Sequence, residues 1–291
     1  MIINEFLIKM DDSEAVYVEV HFIVTAIFKT FDFEALRKIF DDVQNLYNGY
    51  YPGYKKCNTD YHDLRHVTDT FLLTARLIHG AHLNGIKLTK RNVFLGLVSA
   101  LLHDTGYIQS TDDRTGTGAK YTSSHVDRSI EFTEKYLLFN GYSIMDYELC
   151  HDLIKCTDFV IDTKSIDFTS EGMKIMGMIV GTADIVGQMS GRRYLEKLDL
   201  LYCEFKEADI GDYTSEFDLL KKTVPFFDFV NIRIMSEFEN VSRFLVSHYQ
   251  QRWGIDKDVY HEDMNKNVVY LKKIVTQSKK DYRSMLNRRL S

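Results

Sequence analysis

His103 and Asp104 end an almost unbroken apolar run, Val93 to Leu102, in the context SALLHDTGY. A run of that composition suits a central helix buried on all sides, so the two polar residues at its end are expected to be drawn into the interior with it. An ionised carboxylate beside an imidazole is expensive to bury unless something positive neutralises it, and a divalent cation is the partner that uses both groups at once. The dipeptide alone leaves a second reading open, in which Asp104 caps the next turn through its side chain and His103 packs as a satisfied core histidine. Two further features bear on the choice. His62 and His66 in YHDLRH are four residues apart. On a helix that spacing brings both imidazoles to one face, where one can ligate while the other works. Alone, such a pair is more often a coincidence of surface or packing. Asp184, a lone carboxylate inside the apolar stretch MIVGTADIVGQM, needs a partner in turn, because buried Asp almost always has one.

The elements that must position these residues read as helices. Pro52 and Pro225 are the only prolines in 291 residues, a scarcity that suits a mainly helical protein. Leu36, Ile39, Phe40 and Val43 make one apolar stripe that Gly49 ends; a second, beginning near Ser124, aligns Val126, Ile130, Thr133 and Leu137 and stops at Gly141. Val16 to Phe28, rich in β-branched and aromatic residues, suits a strand or a buried helix, and helix is the reading preferred. Gln109 to Lys120 and Lys206 to Thr214 read as loops. The Lys- and Arg-rich last helix, Asn265 to Leu290, reads as a solvated face. No repeat or change of composition marks a boundary. The expected architecture is thus all-α and multi-helix in one domain, with residues 1–50 as a helical lead-in and 51–291 as the body that carries the chemistry.

The charge balance narrows the partners. A formal net charge of -6 argues against coating a nucleic-acid polymer, which needs a basic face, while a small phosphate-bearing ligand held by bound cations stays possible. The acidic N-terminus has no features of a secretion signal. The longest apolar run is about half the ~20 residues of a membrane span, so no membrane association is expected. Cys57, Cys150, Cys156 and Cys203 have no CxxC spacing and read as reduced, mostly buried thiols, which makes the cytoplasm the expected compartment. Oligomeric state is left open by these features.

Taken together, the H…HD…D pattern resembles the HD superfamily of metal-dependent phosphohydrolases. Its local wording is similar to the catalytic domain of class I cyclic-nucleotide phosphodiesterases, whose YHNxxHAxDV motif is close to YHDLRHVTDT here. ALLHDTGY, YTSSHVDRSIEF, LIKCTDF (a TDM-like turn), GTADIVGQM (an ADLS-like helix) and TVPFFDFV (similar to QVGFIDY) follow in the family's order, from about Tyr61 to about Val230. The resemblance implies that His66, His103, Asp104 and Asp184 hold a first metal and that Asp104 bridges to a second, so two divalent ions (Zn, Mn, Mg or Fe) are the expected cofactors. It implies further that His62 is the general acid, protonating the leaving oxygen while a metal-activated hydroxide attacks phosphorus. His125 and Asp158 are candidates for the second metal or for positioning its ligands. Phe226 and Thr223 are candidates for substrate binding, in a protein whose substrate would be a small, nucleotide-like phosphate ester.

The departures matter as much. Thr223 stands where the phosphodiesterase pattern has a purine-reading glutamine, and Pro225 where it has glycine before the aromatic clamp occupied here by Phe226. Tyr107 replaces the histidine of HDxxH, Asp63 replaces an asparagine, and Thr122 or Ser123 an acid. Base recognition is therefore open, as is the second metal. His151-Asp152, a second HD dipeptide on a mixed helix, is not expected to ligate, and Arg192 and Arg193 read as surface residues. Two other functions compete: an HD nucleotidase or triphosphohydrolase sharing the metal set, and a catalytically idle module that keeps the metal or only the fold.

Overall fold

Polar caps encoded just ahead of the apolar stripes start most of the helices in the computed structural model, which describes residues 8–276 and 282–286. Asp12 accepts the backbone N–H groups of Glu14 and Ala15 at the head of α1 (Ser13–Ile27), and Asp32 that of Ala35 at the head of α2 (Phe33–Asn48). Gly49, at φ 82°, closes α2 in the left-handed conformation that glycine adopts without strain. Residues 16–27, the segment equally suited to a strand, are helical because Val16, Val20, Ile23 and Val24 bury one stripe against α3 (Leu64–Leu83). There follow α4 (Lys90–Leu102), α5 (His125–Phe139), α6 (Ile144–Lys155), α7 (Glu171–Ser190), α8 (Leu198–Glu207), α9 (Glu216–Ser236), α10 (Phe244–Trp253), α11 (Val259–Thr276) and α12 (Tyr282–Leu286). Among the described residues no strand forms beyond a lone antiparallel bridge between Tyr54 and Ser110. The fold is all-α.

α3 is the hub. It packs on α1, α4, α7 and α10, and α7 in turn packs on α4, α6 and α11. The core is continuous across these helices, and the first two share it; Phe40 of α2, for example, meets Phe71 of α3 with ring centroids 5.7 Å apart. α4 has no polar face from Val93 to Leu102, and every residue of that run is buried. Asn267 of α11 donates to the carbonyls of Met189 (2.8 Å) and Gly191 (3.0 Å), satisfying carbonyl groups at the C-terminal end of α7.

The chain's end departs from expectation. The helix expected from Asn265 begins earlier, α11 starting at Val259, because Asp258 accepts the His261 N–H and the apolar stripe extends back to Val259 and Tyr260. α11 is described as far as Thr276 and the chain is helical again in α12; the rest of the expected span, residues 277–281 and 287–290, lies outside the described residues. Lys266, Lys272 and Lys273 of α11 face solvent, as read. Pro225 lies inside α9 without ending it. Its missing N–H deprives the Lys221 carbonyl of a helical partner, a loss that water can make good at this exposed position. No described helix is long and apolar enough to cross a membrane. All four cysteines are free; Cys150 and Cys156 are buried, Cys57 half-buried and Cys203 exposed.

Close approach is required where the turn after α4 meets α5. Gly106 N–H donates to Ser129 Oγ (2.9 Å), Arg128 Nε donates to the Gly106 carbonyl (2.8 Å), and a Cβ at Gly106 would lie 2.0 Å from the carbonyl oxygen of His125. Gly106→Ala should therefore lower stability by about 1–3 kcal/mol through overpacking. Gly187→Ala, inside α7 where the new methyl meets nothing nearer than 3.8 Å, should raise it by about 0.5–1 kcal/mol by restricting the unfolded chain. Urea denaturation of the two variants checks both signs.

A second consequence is pH dependence. His79 and His248 meet through their Nδ1 atoms at 2.9 Å and pin α3 to α10; burial pushes His79 down to about 4 and His248 down to about 2. Because both folded values lie below the unfolded imidazole value of about 6.5, the unfolded chain takes up protons first as pH falls. The stability from these two residues should be complete above about pH 6.5 and drain away as pH drops toward 4. Urea midpoints across that range check the trend, and NMR titration should find both imidazoles still neutral at pH 5.

Candidate metal centre

Three helices that are distant in sequence bring the histidine and aspartate residues together. Asp63 accepts the N–H of His66 and starts α3 there, which places His66 in its first turn, pointed into the core. α4 delivers His103 at its last turn, and α7 delivers Asp184 from its middle. His66 Nε2 lies 3.1 Å from His103 Nε2, 3.1 Å from Asp104 Oδ2 and 3.1 Å from Asp184 Oδ1. His103 Nε2 is 3.5 Å from Asp104 Oδ2 and 3.4 Å from Asp184 Oδ1. All four side chains are buried, and His66, His103 and Asp104 each present a ligand-type atom within 4.8 Å of the other two.

The two readings of the HD dipeptide can now be weighed. Asp104 stands at the head of the 3-10 turn Thr105–Tyr107 but makes no side-chain cap bond to it. Its Oδ2 is buried and takes no hydrogen bond of acceptable geometry from the described residues. His103 Nδ1 donates to the Ala100 carbonyl at 2.9 Å, which leaves Nε2 as the ring's acceptor atom, turned toward the two acids.

The electrostatics follow from that crowding. Burial disfavours a charged His66, yet the adjoining Asp104 and Asp184 carboxylates more than offset it and push the imidazole up to about 10. His103 is raised in the same way, against its own burial, by Asp104 and Asp184. Burial by itself would raise both acids; the charge of His103 and the nearness of His66 hold Asp104 well below the ordinary carboxylate range, and His103 and His66 hold Asp184 down. The donor set suits a divalent ion. Bonds of about 2.0–2.2 Å to N and O ligands leave neighbouring ligand atoms about 3.0–3.5 Å apart, the spacing these atoms already have, and an orphaned carboxylate oxygen points into their midst.

His62 requires a correction. Its spacing from His66 suggested two imidazoles on one helical face, but α3 begins at Leu64 and His62 precedes the Asp63 cap. The cap ends the helix because Asp63 turns its side chain to the His66 N–H, leaving 61–62 in a connecting turn. The rings nonetheless meet, with centroids 6.0 Å apart. Glu204 of α8 holds His62 in place: its Oε2 lies 2.6 Å from His62 Nδ1, and its Oε1 accepts the Tyr61 N–H at 2.8 Å. Lys197 ties down the same turn by donating to the Tyr61 carbonyl (2.9 Å) and to Asp63 Oδ2 (3.0 Å).

Tyr107 stacks on His62 (4.3 Å, 11°) and on His125 (4.6 Å, 23°). His125 Nδ1 donates to the Thr122 carbonyl at 2.7 Å, so its Nε2 lone pair faces Asp104 Oδ1, 3.7 Å away, and burial lowers the ring's affinity for a proton. Asp158 lines the same cavity, but its Oδ1 accepts the Val160 N–H at 2.8 Å. Gln188, one turn after Asp184, donates to Asp184 Oδ1 at 3.1 Å and sits 3.2 Å from His66 Nε2.

Sequence reasoning missed Glu204, Lys197 and Gln188. Glu204 left a readable trace, since it occupies the stripe of α8 shared by Leu198, Leu201 and Phe205, where an acid must find a partner.

A cavity of about 520 Å³ opens beside these groups and is lined by His62, Asp104, His125, Asp158, Asp184, Thr223 and Phe226, among others. His151 stays with its neighbour Asp152, 3.0 Å away on α6. Arg192 and Arg193 border a separate recess of about 140 Å³. No curated protein matches the chain. Residues 110–245 match the Npun_R2479-like family, a stretch that includes His125, Asp158, Asp184, Glu204, Thr223 and Phe226 and begins after His62, His66, His103 and Asp104.

Proposed function

We propose that this chain is a metal-dependent phosphohydrolase of the HD type, hydrolysing a phosphodiester or nucleotide-like phosphate. The observation that carries the proposal is the convergence of His66, His103, Asp104 and Asp184 on one buried point beside an independently anchored imidazole, His62. His66, His103, Asp104 and Asp184 would hold a divalent ion (Zn, Mn, Mg or Fe), and His125, with its free Nε2 toward Asp104, is the residue best disposed to a second one. When bound, such ions supply Lewis acidity toward a phosphoryl oxygen and a source of hydroxide at neutral pH.

The protein's own part is positioning and proton transfer. Glu204 accepts the His62 Nδ1 proton, which fixes the tautomer and leaves Nε2 to carry the proton that a departing oxygen needs. Tyr107 holds the ring plane by stacking, and Lys197 holds the turn that bears it. Gln188 steadies the Asp184 carboxylate from the next turn of the same helix. A cytoplasmic setting belongs to the same proposal, since four free thiols suit a reducing compartment.

Elemental analysis of purified protein should find roughly stoichiometric transition metal, and Asp104→Asn should abolish it. Wild-type protein without metal would overturn the proposal in favour of an idle module.

Against bis-p-nitrophenyl phosphate, His62→Ala should keep its metal and lose about 10²–10⁴-fold in kcat, the usual worth of a positioned proton donor. Glu204→Gln should lose less, about 10–100-fold, with metal unchanged. Loss of metal in His62→Ala would make His62 a ligand, and turnover restricted to monoesters or nucleoside triphosphates would indicate the nucleotidase class.

A further inference from the structure

The far side of the cavity has a different character from its metal end. Away from the histidines and acids its wall is Ile185, Met189, Leu201, Phe205, Leu219 and Phe226. Tyr194 and Tyr213 also line it; of the other polar side chains there, Thr223, Gln188 and Lys222 are already engaged. Thr223 Oγ1 donates to the Leu219 carbonyl at 2.8 Å, so the residue at the base-reading position spends its proton on its own helix. Gln188, the cavity's single amide side chain among the described residues, is turned to Asp184 and His66. Lys222, the single lysine or arginine lining it, donates to the Asp212 carbonyl at 2.5 Å and pairs with Asp218 at 3.2 Å. A purine edge would find no amide to read it, and a chain of further phosphates would find no uncommitted cation.

The apolar wall does not end at the cavity mouth. Phe226 and Phe159 touch there (ring centroids 5.5 Å), each also meets Phe229 (5.9 and 6.3 Å), and Val160, 91% exposed, completes the rim. From Phe229 the stripe runs on along α9 through Ile232, 66% exposed, and Met235, 61% exposed. Residues three apart on a helix are neighbours, so each of these side chains adjoins the next as the track winds around α9. An exposed apolar track of this kind marks a binding surface, and this one shares Phe159, Val160 and Phe226 with the cavity.

Building on the phosphohydrolase reading, we infer that the substrate is an amphiphilic phosphate ester. Its phosphate sits at the metal end, and a long apolar organic group lies along Phe226 and Phe159 and out onto Phe229 and Ile232. The reaction is hydrolysis. Oxygen from water bonds to phosphorus as the water gives up one proton to solvent, the bond from phosphorus to one ester oxygen breaks, and that oxygen leaves as an alcohol or phenol with the proton from His62, which solvent then restores.

The test is a series of alkyl p-nitrophenyl phosphates with one, four and eight carbons, all below their aggregation limits, set against a nucleoside p-nitrophenyl phosphate. We expect kcat/KM to rise at least ~10-fold from one to eight carbons, each buried methylene being worth up to about 4-fold, and to exceed the nucleoside ester. In Phe229→Ser and Ile232→Ser the eight-carbon to one-carbon ratio should fall at least ~5-fold. A flat series, or preference for the nucleoside ester, overturns the inference. Calorimetry with octyl phosphate against methyl phosphate separates this from failure of the hydrolase reading. If no ester turns over, tighter octyl binding still upholds the ligand class, and equal binding rejects it. Sedimentation closes the last route: a wild-type dimer that the Phe229→Ser/Ile232→Ser double variant dissociates makes the stripe an interface between copies and refutes the assignment.

Discussion

Two carboxylates, Asp104 and Asp184, face two imidazoles, His66 and His103, all four buried at the inner end of the cavity. Isolated anions at such depth would be very expensive, so the arrangement persists only with two positive charges supplied. A proton on His66 meets part of that demand: the acids hold this imidazole up near 10, and they act on His103 in the same direction. One divalent cation supplies both charges.

The surrounding structure keeps each of the two acids within 3.1–3.5 Å of both imidazoles. α3, α4 and α7 pack on one another with fully buried faces, so none can shift without disturbing the core that the other two share. α11 secures the end of α7 through Asn267, and the tight Gly106 contact sets how closely the turn after Asp104 meets the start of α5, where His125 stands. His62 depends on another element altogether. α8 reaches it through Glu204, so this imidazole is anchored apart from His66 and His103.

Polarity along the cavity is graded. Charged and imidazole groups gather at one end, while aromatic and aliphatic side chains line the other and run onto the surface of α9. Thr223 belongs to this second half. It lines the wall and bonds its hydroxyl back to its own helix, while Pro225, outside the lining, adds no backbone donor beside it, so the wall offers shape and apolar area more than hydrogen-bond readout.

Helical architecture was legible in the residues themselves, because the 3.6-residue rhythm of Leu36, Ile39, Phe40 and Val43 and the apolar run ahead of His103 state which faces must be buried. The buried acid in α7 was legible for the same reason, since Asp184 interrupts a stretch with no other polar purpose. The position of His62 outside its helix was not, because spacing alone cannot tell that Asp63 spends its side chain on capping. Lys197 was hidden too, and the stripe of α8 could show that Glu204 needs a partner but not which one, because both contacts are made across more than a hundred residues of chain. Local pattern determines which groups must leave water. Only packing decides which of them meet, since the distances that govern charge and hydrogen bonding are set between helices and not along them.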